Sequence, residues 1–178
     1  MNLTRIVALF LGSLILYSCA STSPFTVKYD PASGQSNYAS NRSVMGFRSM
    51  SGGLSANQRI MWQAQAACAG DSCTPDEISL VFYNDTSKEL NLDYQGLRII
   101  IDGTEHSWKE SNLPIEQGFF RVPRGEFTRV SLAPSVFVDL AEAKEVEVLF
   151  GETGTSSFNS IHSGRAEFRA LVEVWNLK

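Results

Sequence analysis

Residues 59–68 read RIMWQAQAAC, and the fold class turns on whether they form a strand or a helix. Ile60, Trp62, Ala64, Ala66 and Cys68 alternate with Met61, Gln63, Gln65 and Ala67, the period-2 pattern of a strand with one face in a core. A helix competes: Ser55 stands three residues before Gln58, a capping-box spacing, and the alanines are good helix formers. The alternation lasts nine residues and another strand-like run follows closely, so a strand in a hairpin is the preferred reading.

That following run, residues 78–83 (ISLVFY), is the clearest strand, and Asn84, Asp85, Thr86 and Ser87 end it in a turn. Residues 97–101 (LRIII) form another, and Asp102-Gly103 is the strong two-residue hairpin signal, with residues 104–108 returning. Residues 119–122 and 127–132 read as a further pair around Pro123, Arg124 and Gly125. Upstream, residues 25–29 (FTVKY) read as the first strand, residues 30–41 (DPASGQSNYASN) as a loop, and residues 44–50 as a loose alternation interrupted by Gly46.

After Pro134 the pattern changes. Residues 135–143 (SVFVDLAEA) place Val136, Phe137 and Leu140 near one face of a short helix. Residues 145–150 (EVEVLF) alternate as a strand, and residues 151–160 read as a turn or loop with a short strand at its end. Residues 164–175 space Phe168, Leu171, Val172 and Trp175 for a helix that Ser163 can cap; a strand with Ala166, Phe168, Ala170, Val172 and Val174 on one face is the alternative. The expected fold is therefore α+β: one antiparallel β-rich domain with one or two helices over one sheet face. The runner-up is an all-β sandwich ending in a strand.

The chain has 178 residues, 43% of them hydrophobic and 19% charged, which suits one globular domain with a real core. Its formal charge of −4 argues against a basic nucleic-acid binder. Before the domain, residues 1–18 read as a signal peptide: a short region with one cation, Arg5, then IVALFLGSLILY. Those twelve residues fall short of the roughly 20 that a membrane-spanning helix needs.

The signal ends in Leu16, Tyr17, Ser18 and Cys19. This ending resembles the lipobox of bacterial lipoproteins, with an aliphatic residue three before the cysteine and a small one just before it. Tyr17 is bulky, at the tolerant position. A generic signal-peptidase site wants small residues where Leu16 stands. The resemblance implies a diacylglyceryl group on the Cys19 thiol, cleavage after Ser18 and acylation of the new amino group. It covers the first twenty-one residues. Several acyl chains make a stable anchor where one is reversible. In such lipoproteins an aspartate after the cysteine signals inner-membrane retention; Ala20 stands there, which favours the outer membrane facing the periplasm. Residues 19–24 then form a lipidated tether and residues 25–178 the domain. The mature chain carries 14 basic and 19 acidic residues, net −5.

Cys68 and Cys73 are the best chemical pair: an exported domain is in an oxidising compartment, and Gly70 and Asp71 supply a turn between them. Their spacing is not that of the thioredoxin motif, and neither a metal set nor a cofactor motif is present, so a structural disulfide is expected. Asp71, Asp76 and Glu77 lack EF-hand spacing. His106 and His162 are the two histidines; His106 follows Glu105 in a strand, so the two face opposite ways. No G-x-S-x-G, H-E-x-x-H or phosphate-loop pattern occurs. Core packing is the default for the aromatics; Tyr94, Trp108 and Phe120, near turns or in strands, are the candidate contacts for an envelope protein partner. The expectation is a membrane-anchored envelope protein with a binding, assembly or structural role. A small-ligand or lipid carrier and an envelope hydrolase are the alternatives.

Overall fold

The alternating run is a strand. In the computed structural model, which describes residues 23–48, 59–70, 74–84, 92, 96–108, 127–151 and 156–177, Arg59–Ala69 (β4) is the longest strand and the branch point of the sheet. In chain order it is preceded by Phe25–Asp30 (β1), Gln35–Ser40 (β2) and Ser43–Arg48 (β3). Ile78–Asn84 (β5), Leu97–Ile101 (β6), Thr104–Trp108 (β7) and Phe127–Leu132 (β8) follow it. Pro134–Glu142 (α1), Glu145–Phe150 (β9), Ser156–Ile161 (β10) and Ala166–Val174 (α2) complete the order.

Among the described residues ten strands form one curled antiparallel sheet, a half-barrel. One edge of β4 pairs with β2 near its end (Tyr38↔Ala66) and with β3 near its start (Met45↔Ile60). Beyond β3 the order continues β10-β9-β6-β7. The other edge of β4 pairs with β5 (Trp62↔Phe82), and β5 with β8 (Leu80↔Val130). The mixture is mostly strand, nearer to all-β than an even α+β mix. The sandwich alternative fails at its last element: residues 166–174 are helical. The i, i+3, i+4, i+7 spacing buries Phe168, Leu171, Val172 and Trp175, which strand geometry would split between two faces.

Two expectations need correction. Residues 35–40, expected inside a loop, are β2. Their polar letters hide a strand whose Tyr38 and Ala39 are buried between β1 and β4. The preceding turn is real but short, closed by the Gly34 N–H donating to the Asp30 carbonyl at 2.8 Å. Ser163 does not cap α2: it lies in a 3-10 turn, His162–Arg165, and Arg165 takes the N-cap position without a side-chain cap bond. Helix α1 begins with Pro134, whose fixed φ and missing N–H suit a first turn. The strand expected at residues 119–122 lies outside the described residues.

Both helices cover the concave side. Phe137 of α1 and Phe168 of α2 meet at 5.6 Å, and Phe168 meets Trp62 at 4.8 Å. From Trp62 ring contacts pass to Phe82 (6.1 Å), Phe150 (5.5 Å) and Phe158 (5.8 Å). In the other direction they run from Phe137 through Trp175 and Tyr38 to Phe25. The interior of the curl is thus a continuous aromatic core. Neither described helix is long and apolar enough to cross a membrane.

Candidate functional site

Among the described residues, the Asp102 turn collects chemistry-bearing side chains and the β1 edge presents exposed ones. The Asp102-Gly103 pair forms the two-residue hairpin between β6 and β7, with both φ angles positive, 44° and 88°. These are the angles of a type I′ turn. The Asp102 carboxylate reaches across to the link between α1 and β9. There it accepts from the backbone N–H groups of Lys144 (3.0 Å) and Glu145 (2.8 Å). Those bonds, the Glu145 one first, hold its pKa below the ordinary carboxylate value.

Two arginines and His162 gather behind the same link. Arg165 is completely buried and donates to the Ser160 carbonyl (2.6 Å) and to the Ala143 carbonyl; burial pushes its pKa down. Arg169 donates to the Ala141 carbonyl at 3.3 Å, and His162 Nδ1 lies 3.1 Å from the Ala143 oxygen. These groups lie against carbonyls at the C-terminal end of α1, where the helix dipole favours the charge of the two arginines. His162 therefore sits at a helix end.

An open groove of about 640 Å³, lined by Ile100, Glu145, Glu147 and Asn159, lies on one side of the Asp102 turn. A hollow of about 390 Å³, lined by Thr104, His106, Asp139 and Glu142, lies on the other. His106 faces away from Glu105 as expected: it pairs with Ile99, and Glu105 lies 3.8 Å from Arg98 on the opposite face. Among the described residues no hydrogen bond joins His106 to a carboxylate, and none of the described His, Cys, Asp and Glu residues form a group of three able to hold a metal.

Trp108 is half-buried at the edge of the core, and its indole N–H donates to the Ser131 carbonyl at 3.1 Å. This bond links β7 to β8 across the opening of the curl. Its polar end is thus used inside the fold. Tyr94 and Phe120 lie outside the described residues, as do Cys19 and Cys73. Cys68 is buried in β4 and disulfide-bonded to a residue outside them. Two residues on, Gly70 has φ 82°, and Ser36 Oγ donates to its carbonyl at 2.7 Å.

On the opposite face of β4, the Tyr83 hydroxyl donates to Gln63 Oε1 at 3.0 Å. The Arg42 guanidinium lies 4.7 Å from the Tyr83 ring. Burial outweighs the nearby cations and raises the Tyr83 pKa. These polar groups are consumed in bonds internal to the sheet.

The β1 edge is different. Val27 is 47% exposed and Tyr29 54%, on the face of β1 that carries Phe25. Phe25 packs on Tyr38 at 6.4 Å. The Asn41 N–H donates to the Pro24 carbonyl at 2.8 Å, so by alternation Thr26 and Lys28 bond toward β2. The N–H and C=O groups of Val27 and Tyr29 then point off the sheet. FTVKY alternates as a covered strand does, so the sequence reveals the strand but not its exposure. Nor did any sequence signal separate the buried Arg165 from a surface arginine. No family model, no curated protein and no solved structure matches the chain.

Proposed function

We propose that the protein is a lipid-anchored component of a bacterial cell envelope, held at the outer membrane and facing the periplasm, with a binding or assembly role. A single observation carries the anchoring: Leu16-Tyr17-Ser18-Cys19 closes an aliphatic run too short to span a bilayer. The deployment of the polar side chains supports binding over catalysis. Arg165, Arg169, His162 and Asp102 all serve backbone groups of the fold. Where a carrier would need a hollow, the space between sheet and helices is filled with aromatic rings among the described residues. The hydrolase alternative would centre on the hollow at His106, Asp139 and Thr104. Cys73, five residues further along the chain, is the proposed partner of Cys68.

The test is Cys19→Ser in the full-length chain. Palmitate labelling of the parent and loss of it in the variant, with release from the membrane fraction, is the expected outcome. Unchanged acyl labelling of the variant overturns the anchor. Peptide mapping of the parent without reduction should recover Cys68 joined to Cys73.

A further inference from the structure

We infer that the β1 edge is the membrane-facing side of the domain, with Val27 and Tyr29 seated in the headgroup layer of the bilayer that holds Cys19. The inference rests on the lipid anchor at Cys19 and adds an orientation to it.

Reach is the first argument. Phe25 lies six Cα steps along the chain from Cys19, with five residues between them. Fully extended, that length spans about 20 Å, less than the thickness of a bilayer core. Strand β1 is therefore the part of the sheet that the anchor holds nearest the lipid. Surface character is the second. Val27 and Tyr29 are exposed side by side on one face, and Val174, 47% exposed, ends the helix that lies against β1 and β2. Tyrosine has an apolar ring and a polar tip, which suits the membrane–water interface.

Charge is the third argument. A chain of net −5 after signal removal is repelled as a whole by anionic lipid. Yet the acid of this strand, Asp30, is turned into its own turn, accepting from the Ala32 N–H (3.0 Å) and Ser33 Oγ (2.8 Å). Lys28 is left as the strand's cation, exposed on the other face and long enough to reach a phosphate. The outward backbone groups of Val27 and Tyr29 fix the depth. Hydrocarbon would leave them unsatisfied, whereas the headgroup layer holds water and phosphate to bond them. The strand lies at the interface and does not enter the hydrocarbon.

The experiment uses the full-length lipidated protein in vesicles of phosphatidylethanolamine and phosphatidylglycerol, with or without bromine near the top of the acyl chains. Tyr29→Trp places an indole at the proposed seat. Val44→Trp places one on β3 at a position of similar exposure, 48%, on the other face of the sheet. The parent's own tryptophans supply the background, and Val27→Trp replaces Tyr29→Trp if that variant does not fold. The expected result is a blue shift and loss of most of the introduced emission on bromination for Y29W, and neither for V44W. Water-like emission from Y29W, quenched by aqueous iodide as in V44W, overturns the seat. Protection from both bromine and iodide also overturns it, in favour of another protein strand paired on β1. Flotation and the mass of the acylated N-terminal peptide are read on the same sample. Lipidated, floating protein with a water-exposed indole fails the seat alone, while unlipidated protein fails the anchor.

Discussion

Asp102 illustrates how one residue joins three elements. Its positive φ makes the β6–β7 turn, and its carboxylate binds the N–H groups at the start of β9. Aspartate tolerates the left-handed region better than most residues, which is the local half of the explanation. The other half is ionic, and its sign follows from the lowered pKa. The unfolded carboxyl, near 3.8, takes up a proton before the folded one as pH falls. The stabilisation is complete above the unfolded value and is lost as pH drops through the folded value. Asp102→Asn keeps the turn preference and an acceptor but removes the charge. The variant should be less stable than the parent at pH 7, with the gap shrinking below about pH 4. Urea unfolding at several pH values measures it; a gap that does not change with pH means that the charge contributes nothing.

At the scale of elements, what the sequence reveals depends on how many neighbours a strand has. Strand β4 is legible because its nine-residue alternation puts Trp62 in the core and Gln63 on the opposite face. The β6–β7 hairpin is legible because Asp-Gly has few other uses between two strands. Strand β2 is not: QSNYAS has loop composition, and it is extended because β1 and β4 flank it on both sides. Partner choice was hidden too, since Trp108 looks like any strand aromatic until β8 lies beside it. That contact carries a prediction. Trp108→Phe keeps most of the ring packing and removes the bond to Ser131, so the loss should be about 0.5–1.5 kcal/mol. It should come with faster amide exchange in β7 and β8 than in β4, because the opening of the curl is what loosens. Uniform exchange across the sheet would mean that the bond does not hold the curl closed.

At the scale of the whole molecule, one aromatic path runs among the described residues from Phe25 in β1 to Phe158 in β10. Phe168 lies near its middle, touching Phe137 of α1 and Trp62 of β4. It is fully buried, so truncation removes its transfer free energy and leaves a cavity that two rigid helices and a sheet cannot collapse. Phe168→Ala should cost about 3–5 kcal/mol. Against a total stability of about 5–15 kcal/mol, that leaves a marginal domain. Tyr29→Ala, at the far edge of the same sheet, removes an exposed ring and should cost at most about 0.5 kcal/mol. The two changes are separated by the path itself, so they also report whether it is one cooperative unit. If it is, denaturant curves for F168A followed by tryptophan emission and by far-ultraviolet circular dichroism coincide, shifted together to lower midpoint. Curves that separate would mean that the helices leave the concave face before the sheet opens. The aromatic path would then be two cores in contact, and the β1 edge would be held by the sheet alone.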